Sequence, residues 1–423
     1  MTYEEALKYI HSTSNFFCKP GLERIKQLCD GLGNPQEKLK FIHVAGTNGK
    51  GSVSCMLSSV LRQAGYKVGL YTSPYILEFN ERMRINGENI PNSTLSRLTE
   101  KAKEVADKMA DSPTEFELIT AIAFEYFYEE ACDLVVLEVG MGGRLDATNI
   151  IDNPMLSIIT GIALDHTAFL GDTIEQIAEE KAGIIKKNSA ILFGGEDSVS
   201  ESVIAKNALI MQSVLYKTDY LKLKIASSSL EGTTFNYRDK TDIKISMLGS
   251  YQPRNASIVI DACDLLKESG INISDEALRL GLAKAKWPAR FEIISNSPLV
   301  IFDGAHNPQG LGVAVDSVQR YFGEQKVVVL TGVLRDKDYV TIAKSLSEIA
   351  LCAFTITPDN PRALTAEKYA RILSDNGVKA IPCNSIDEAV ILATKEARDK
   401  NTALLCLGSL YTYSQVVSAL KID

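Results

Sequence analysis

Short apolar runs alternate with helical segments along most of this chain, and this alternation constrains the fold more than any other feature. A first series comprises KFIHVAG, KVGLYTS, DLVVLEVG, PMLSIITGI and AILFGG, and a helix is predicted from about Lys50 to Gln63. Runs that are apolar throughout, instead of alternating with polar residues, are typical of parallel strands buried on both faces. The sequence therefore predicts an α/β fold with a mostly parallel sheet.

A second series of apolar runs follows Trp287 and indicates a second α/β unit. It comprises PLVIFDGAH, KVVVLTGVL, LCAFTITPD, VKAIPC and TALLCLGSL. Between about 196 and 248, polar alternating pieces such as LKLKIASSS and TTFNYRD predict a small antiparallel appendage. Because 423 residues exceed what one hydrophobic core usually organises, we predict two domains, 1–288 and a smaller 289–423.

Composition and charge argue against several classes of protein. The chain has 45 Lys and Arg against 53 Asp and Glu, a net charge of −8, which disfavours general binding to nucleic acid or to an anionic membrane. The N-terminal MTYEEALKYIHS is acidic and no apolar run approaches the ~18 residues of a membrane span, so we expect a cytoplasmic protein. The cysteines lack C-x-x-C spacing and predict free thiols. They are Cys18, Cys29, Cys55, Cys132, Cys263, Cys352, Cys383 and Cys406.

The stretch FIHVAGTNGKGS (41–52) places a strand, a Gly-rich turn and a helix start in direct succession. That order presents backbone N–H groups and a helix N-terminus to phosphates, and Lys50 could reach the terminal phosphates. The strict P-loop pattern requires Gly at 44 and a hydroxyl at 51, where this chain has Val44 and Gly51. The alternative is a Gly turn that allows close helix packing. The predicted phosphate-binding residues are Thr47, Asn48, Gly49, Lys50, Gly51 and Ser52.

Four further residues lie after strands or on an apolar helix face. Glu138 ends the run DLVVLE and, with Ser73 after another strand, could hold Mg²⁺ or could equally satisfy loop amides. His166 follows a third strand, where a lone histidine is more often structural. Lys181 lies among isoleucines at helical spacing, and on the sequence alone a side chain whose amine reaches water is favoured.

The motif GTNGKGS resembles the nucleotide loop of the Mur ligase superfamily, and the chain resembles its dihydrofolate synthase/folylpolyglutamate synthase branch. Three positions depart from the branch: Tyr75 and Tyr251 where His is frequent, and Ala289 where Gly often precedes Arg. The further matching motifs, in the expected order, are GLERIKQL, TSPYILEFNERMRING, LEVGMGGRLDATN, DHTAFLGDTIEQIAEEKAGIIK, LGSYQPRNA, WPARFE and FDGAHNP.

The resemblance implies a P-loop-type, ATP-binding first domain like the central Mur ligase domain and a Rossmann-like C-terminal ligase domain. It also implies an ATP-dependent amide ligase that uses two Mg²⁺ ions and a carbamate formed on Lys181 from CO₂. A neutral amine is needed for that modification, and burial or a cationic neighbour would supply it. The implied catalytic residues are Lys50, His166, Lys181 and Arg290, and the implied metal ligands are Ser73, Glu138, His166 and Lys181.

The resemblance also assigns residues to nucleotide and acceptor. Five of these residues also have a structural alternative. Arg290 could form an interdomain salt bridge, and Asp303 and His306 could cap their loop. Asp146 could fix its turn, and Arg82 could be a solvated loop charge. The implied ATP contacts outside the loop are Asn255, Arg290, Asp303 and His306. The implied dihydropteroate-pocket residues are Thr114, Leu145, Asp146 and Ala147, and Arg82 could bind a substrate carboxylate.

The expected function is ATP-dependent ligation of L-glutamate to dihydropteroate, to the γ-carboxyl of reduced folates, or to both, through an acyl phosphate. We expect a monomer whose partners are these small molecules. The alternatives are folylpolyglutamate synthesis alone, an uncoupled nucleotide-hydrolysing switch, or a peptidoglycan Mur ligase. The last is disfavoured because such ligases carry a UDP-sugar domain before the nucleotide loop, and only 45 residues precede Gly46.

Overall fold

The computed structural model describes residues 1–13 and 21–420. Cys18, predicted to be a free thiol, lies outside these described residues. The chain divides into two compact units. The first comprises Met1–Lys222 and Asn255–Ala285, and the second comprises Leu223–Arg254 and Lys286–Asp423.

The first unit contains an eight-stranded, mostly parallel sheet, as the apolar runs predict. Its strands are β1 (Phe41–Ala45), β2 (Val68–Tyr71), β3 (Met83–Ile85), β4 (Glu88–Asn89), β5 (Leu134–Glu138), β6 (Leu156–Ile159), β7 (Ala190–Phe193) and β8 (Val214–Lys217). The order is β4-β3-β2-β5-β1-β6-β7-β8, and the pairs β2–β3 and β3–β4 are antiparallel while the other pairs are parallel. Every residue of β1 and β5 is buried, which is typical of central parallel strands covered on both faces.

Helices cover this sheet. They are α1 (Tyr3–Ser12), α2 (Glu23–Gly31), α3 (Lys50–Gln63), α4 (Asn92–Ala106), α5 (Glu115–Glu129), α6 (Thr167–Leu170), α7 (Ile174–Ala182), α8 (Ser198–Ile210), α9 (Gln252–Glu268, which begins in the second unit) and α10 (Asp275–Lys284). The bounds of α3 confirm the helix predicted from Lys50 to Gln63. One buried cluster joins α1, α2, α4 and α5 to the strands, and another joins α7 and α8 to them.

A three-stranded antiparallel sheet follows and confirms the predicted appendage. Its strands are β9 (Leu223–Ser229), β10 (Gly232–Tyr237) and β11 (Lys240–Ile245). The predicted first domain, 1–288, includes this segment, whereas its contacts group it with the second unit. The reason is that Leu230 packs on the second unit's core and the Gly249 N–H donates to the Tyr321 hydroxyl at 3.0 Å. The boundary at 288 stays a prediction.

The second unit contains a six-stranded sheet in the order β12-β13-β17-β14-β15-β16, parallel except for the β12–β13 hairpin. This agrees with the predicted Rossmann-like arrangement of alternating strands and helices. The strands are β12 (Glu292–Asn296), β13 (Leu299–Asp303), β14 (Val327–Thr331), β15 (Ala350–Thr355), β16 (Ala380–Pro382) and β17 (Leu404–Leu407). The helices are α11 (Pro308–Phe322), α12 (Tyr339–Ile349), α13 (Ala366–Asp375), α14 (Ile386–Asp399) and α15 (Tyr413–Leu420). In the described part of the chain, no helix is long and apolar enough to cross a membrane.

Helix α10 packs against α3, the helix that follows the Gly-rich turn. Gly281 of α10 lies so close to α3 that a Cβ there would be 2.4 Å from the Val60 Cα. The Ser59 hydroxyl donates to the Gly281 carbonyl at 2.7 Å. The absence of a side chain at residue 281 therefore sets the distance between the two helices.

We predict that Gly281→Ala lowers the free energy of unfolding by about 1–3 kcal/mol, because the added methyl group must push the α3 backbone away. The matched control is Gly312→Ala in α11, where an added Cβ meets nothing within 4 Å. That variant should gain up to about 1 kcal/mol, because alanine favours the helix. Urea unfolding monitored by circular dichroism measures both, and an unchanged midpoint for Gly281→Ala would contradict the close packing.

Candidate active site

The Gly-rich turn and the predicted ligands Ser73, Glu138 and His166 lie at one edge of the first unit's sheet. Strands β2, β5, β1 and β6 are parallel neighbours, and Val44 pairs with Glu138 across β1 and β5. Ser73 follows β2, the Gly-rich turn follows β1, and His166 lies in the loop after β6. Since parallel strands end at the same edge, all of these groups follow carboxyl ends of adjacent strands, where open α/β sheets bind ligands.

The backbone of the Gly-rich turn packs tightly against its surroundings. At Gly46, with φ of +149°, a Cβ would lie 2.0 Å from the Thr160 Oγ1, and that hydroxyl donates to the Asn48 carbonyl at 2.7 Å. Gly49, with φ of +87°, would place a Cβ 2.8 Å from the Asn255 Oδ1. Both glycines are therefore required by close approach, and the turn lies beside Asn255, a predicted nucleotide contact. No motif in the sequence indicates the part played by Thr160.

Thr47 joins the turn to the loop that carries His166. Its N–H donates to the Gly161 carbonyl at 2.8 Å. Its hydroxyl donates to the Ala163 carbonyl at 3.1 Å and accepts from the Ala163 N–H at 3.0 Å. The Thr47 side chain therefore supports the turn, and any contact with a nucleotide must share that hydroxyl.

The start of α3 suits an anion. Its N-cap is Gly49, which has no side chain to cap the first amides, and the first turn contains no acidic residue. The positive end of the helix dipole and its N–H groups therefore face the turn, and Gly51 and Ser52 follow inside that first turn. These features fit a phosphate group, in agreement with the phosphate-binding interpretation of the sequence.

The carbonyl oxygen of Gly46 accepts hydrogen bonds from two lysines. The Lys50 Nζ lies 3.0 Å from this oxygen and 3.2 Å from the Thr47 carbonyl. The Lys181 Nζ lies 2.9 Å from the same Gly46 oxygen, and its side chain is buried. The alternative in which the Lys181 amine reaches water is therefore wrong, because α7 directs the side chain under the turn.

The surroundings of Lys181 favour its neutral form. Burial, and then the charge of Lys50, lower the pKa of the Lys181 amine to about 7, while Asp165 and Asp146 act in the opposite direction. A large part of this amine is therefore neutral near pH 7, when an ordinary lysine is fully charged. A neutral amine is a nucleophile, whereas an ammonium group is not.

The predicted metal ligands differ in exposure. Glu138 is buried at the end of β5, Ser73 is half-buried, and His166 is exposed with a left-handed φ of +51°. No group of three or more His, Cys, Asp and Glu side chains within residues 1–13 and 21–420 is arranged to hold a metal. The predicted set has only two such side chains, Glu138 and His166. These residues fit Mg²⁺ only if Lys181 is modified or if substrate oxygens complete the set, because an ammonium group repels a cation.

Asp146 fixes the turn in which it lies. Its Oδ1 accepts from the Thr148 N–H at 3.0 Å and the Thr148 hydroxyl at 2.6 Å, and its Oδ2 accepts from the Met141 N–H at 2.9 Å. Burial raises the pKa of Asp146, while these hydrogen bonds favour the carboxylate. The Thr148 hydroxyl also lies 2.9 Å from the His43 Nε2, and burial lowers the pKa of His43 to about 3. The turn-fixing role is thus present, and pterin binding by Asp146 stays a prediction.

Thr114 has a structural partner as well. Its hydroxyl accepts from the Glu117 N–H at 3.3 Å, and the Glu117 carboxylate accepts from the Thr114 N–H at 2.7 Å, which forms a capping box for α5. Glu117 also binds Arg24 through two buried hydrogen bonds of 2.9 and 3.0 Å. The sequence contains no pattern that indicates this ion pair.

Arg82 is held by aromatic rings. Its guanidinium lies 5.1 Å from the Tyr75 ring centroid and 5.5 Å from that of Phe79. Among the described residues it makes no side-chain hydrogen bond or ion pair, and its Nε is buried. Burial raises the pKa of Tyr71, while the Arg82 charge acts against that shift and the Asp146 charge adds to it. Tyr75, one of the departures from the family pattern, supplies one of the rings.

The two neighbours of Asp146 in the predicted pocket differ. Leu145 is exposed, with 38% of its surface accessible, and Ala147 is buried at the start of a short 3₁₀ turn, Ala147–Ile150. An exposed leucine beside buried polar groups suits a contact with an apolar ligand ring.

In the second unit, Asp303 lies at the centre of a hydrogen-bond network. Its carboxylate accepts from the Tyr251 hydroxyl at 2.9 Å, the Phe291 N–H at 2.9 Å and the Ala305 N–H at 2.7 Å. Burial raises the pKa of Asp303, while the Arg290 charge favours the carboxylate. Tyr251, another departure from the family pattern, is thus a hydrogen-bond donor to Asp303.

Arg290 lies between two residues in the left-handed region, Ala289 with φ of +57° and Phe291 with φ of +45°. The frequent Gly at position 289 in the family has a simple explanation, because glycine adopts this conformation without strain. A Cβ at Gly304 would be 2.4 Å from the Arg290 Nη1, so this glycine leaves room for the guanidinium. The His306 Nδ1 lies 2.8 Å from the Gly304 carbonyl oxygen.

Two family models match the chain. The model described as the Mur ligase middle domain matches residues 44–263, and the model described as the Mur ligase glutamate ligase domain matches residues 289–410. The first match includes the segment 223–254, which packs with the second unit in the structure.

Curated relatives match over nearly the full length. The chain is 38% identical to the dihydrofolate synthase/folylpolyglutamate synthase of Bacillus subtilis, with 99% of each chain covered. It is 35% identical to the folylpolyglutamate synthase of Lacticaseibacillus casei, with 98% of each covered. It is 34% identical to the dihydrofolate synthase/folylpolyglutamate synthase of Escherichia coli, with 98% of this chain and 94% of the relative covered.

Solved structures match as well. The folylpolyglutamate synthase of Thermotoga maritima superposes with a TM-score of 0.85 at 34% identity, covering 99% of this chain and 96% of the other. The E. coli FolC complex with DHPP and ADP superposes with a TM-score of 0.89 at 30% identity, covering 100% and 98%. The chain belongs to the dihydrofolate synthase/folylpolyglutamate synthase family of Mur ligases, which are ATP-dependent acid–amino-acid ligases.

Proposed function

We propose that this ligase attaches L-glutamate both to dihydropteroate and to the γ-carboxyl of reduced folates. The observation that carries the proposal is the turn at Gly46, where a helix N-terminus and two lysines meet beside the buried Glu138. The full-length similarity to relatives named for both activities, in B. subtilis and E. coli, supports the double assignment.

The reaction proceeds in two steps. First, a carboxylate oxygen of the acceptor attacks the γ-phosphorus of ATP, the bond to the β-phosphate oxygen breaks, and ADP leaves. Then the glutamate amine attacks the acyl carbon, the C–N bond forms, phosphate leaves with the C–O electron pair, and the amine loses a proton. Lys50 and the N–H groups of α3 stabilise the negative charge on the transferring phosphoryl group, as does Arg290.

Lys181 reacts with CO₂ in this proposal. Its nitrogen forms a bond to the carbon, a proton is released to solvent, and the product is an anionic carbamate. Burial and Lys50, which lower the pKa of the amine to about 7, support this step. Two Mg²⁺ ions, when bound, neutralise charge on the phosphate oxygens. The residues that would hold them are Ser73, Glu138, His166 and carbamylated Lys181.

The remaining assignments concern nucleotide and acceptor. The nucleotide contacts outside the turn are Asn255, Arg290, Asp303 and His306, supported by the closeness of Asn255 to Gly49 and of Arg290 to Asp303. The acceptor contacts are Arg82, Thr114, Leu145, Asp146 and Ala147. The protein acts as a cytoplasmic monomer, and the seven free, buried cysteines among the described residues support a reducing compartment.

Folylpolyglutamate synthesis alone is the second candidate. The specific observation that favours it is the Asp146 carboxylate, which already accepts three hydrogen bonds within its own turn and is thereby less available to a pterin. The relative from L. casei, at 35% identity, is named for that single activity.

The test is glutamate-dependent ADP release with ATP, Mg²⁺ and one acceptor at a time, dihydropteroate or tetrahydrofolate, and with product detected by labelled glutamate. We expect stoichiometric ADP and ligated product with both acceptors. Turnover with tetrahydrofolate but not with dihydropteroate would restrict the function to folylpolyglutamate synthesis. ADP release that depends on neither glutamate nor acceptor would identify an uncoupled nucleotide hydrolase and overturn the proposal.

A role for Asp146 in pterin binding predicts a specific pattern for Asp146→Asn. Wild-type enzyme should prefer an acceptor with the pterin 2-amino group over its 2-desamino analogue, because a buried donor–carboxylate pair is lost in the analogue. The variant should lose about tenfold or more of that preference, while the KM for ATP stays nearly constant. Steady-state kinetics with the two acceptors measures this. An equal loss with both acceptors would leave Asp146 with its turn-fixing role only.

A further inference from the structure

Asn149 is buried in the segment Arg144-Leu145-Asp146-Ala147-Thr148-Asn149, and none of the site assignments above uses it. Its Nδ2 donates two hydrogen bonds, to the Arg144 carbonyl at 3.1 Å and to the Gly183 carbonyl at 2.9 Å. One side-chain amide thus joins two backbone segments that are far apart in sequence.

The two segments carry different parts of the proposed chemistry. Arg144 belongs to the turn 140–147, here named the acceptor turn, which contains Asp146. Gly183 directly follows α7 and lies two residues after Lys181. The side chain of Asn149 therefore connects the proposed acceptor pocket with the lysine that binds the Gly46 carbonyl.

The backbones of these segments are in direct contact. A Cβ at Gly143 would lie 2.7 Å from the Glu180 carbonyl oxygen, and a Cβ at Gly183 would lie 2.4 Å from the Arg144 Cα. The Arg144 N–H also donates to the Glu180 carbonyl at 2.8 Å. With no side chain between the segments, small changes in hydrogen bonding at Asn149 translate directly into a shift of one segment against the other.

Asn149 is itself anchored. The Lys186 Nζ donates to the Asn149 carbonyl at 2.9 Å. By contrast, the side-chain ion pair of Arg144 with Glu180 is exposed on the Arg144 side, with 57% of that side chain accessible, so it contributes little to the connection. The amide of Asn149 is the stronger link, because its side chain is buried and its removal leaves two carbonyl groups without these donors.

We propose that Asn149 is a positioning residue that holds the acceptor turn in register with Lys181, so that the acceptor carboxylate is aligned with the phosphoryl group. This proposal rests on the function proposed above. Misplacement of reacting groups by about 1 Å costs on the order of 100-fold in rate. Asn149 touches neither ATP nor acceptor in this account and acts only through the two segments that it joins.

The experiment compares Asn149→Asp with Asn207→Asp. Asn149→Asp keeps the shape but replaces the donor group by an oxygen that repels the Arg144 and Gly183 carbonyls. The Asn207 Nδ2 joins α8 to α7 by donating to the Glu179 carboxylate at 2.8 Å and to the Val203 carbonyl at 3.0 Å, without contacting the acceptor turn. Both variants replace a side-chain amide by a carboxylate next to α7 or the residue that follows it, and in Asn207→Asp the new carboxylate faces that of Glu179.

For Asn149→Asp we expect kcat/KM for the acceptor to fall about 100-fold, while KM for ATP and the rise in melting temperature on adding ATP stay close to wild type. Asn207→Asp should lower the melting temperature without a selective loss of kcat/KM for the acceptor. Asn149→Ser, which removes the donors without adding repulsion, should show the same split more weakly and covers the case in which Asn149→Asp does not fold.

The positioning role would be overturned if the Asn149 variants bound and used ATP and acceptor equally poorly. It would also be overturned if Asn207→Asp showed the same selective loss of kcat/KM for the acceptor. Wild-type enzyme that ligates glutamate to neither dihydropteroate nor tetrahydrofolate would instead overturn the proposed function. The two failures are therefore distinguishable.

Discussion

The carbonyl oxygen of Gly46 is the point on which the site of the first unit depends. It accepts from both Lys50 and Lys181, which brings two amines to one oxygen. Two positively charged amines that bind the same oxygen repel each other, and burial adds to the free-energy cost of charging Lys181. This cost appears as a lowered pKa of about 7, so that part of the buried amine is neutral near pH 7. The turn therefore places the Lys50 amine next to a buried amine of lowered pKa.

This arrangement follows from the sheet. Parallel strands β2, β5, β1 and β6 end at one edge, which brings Ser73, Glu138 and the Gly-rich turn together although they are separated by up to 92 residues. The turn can approach Thr160 and Asn255 this closely only because Gly46 and Gly49 have no side chain, and the helix that follows it, α3, packs closely on α10 at Gly281. Contacts that pack the fold therefore also position the Gly-rich turn, so that a change in this packing is expected to displace the groups of the site.

Much of the fold could be predicted from the sequence, because buried strands and helices leave a strong periodic pattern. The pattern predicted the bounds of α3 and the antiparallel appendage, but not that the appendage packs with the second unit, which depends on tertiary contacts of Leu230 and Tyr321. For the site, sequence motifs indicated residue types but not their partners. The pattern around Lys181 predicts an amine that reaches water, yet the side chain is buried. Thr160 lies in no motif, and the motif that ends at Asn149 does not indicate the carbonyls to which its amide donates.

The most direct test of this account is the chemical state of Lys181. Enzyme equilibrated with ¹³C-bicarbonate above the Lys181 pKa of about 7 is examined by ¹³C NMR, with Lys181→Arg as the control because a guanidinium stays charged. The account predicts one carbamate resonance in the wild-type enzyme that is absent in the variant, and partial rescue of the Lys181→Ala variant by small carboxylic acids. A fully active wild-type enzyme without that resonance would contradict the account.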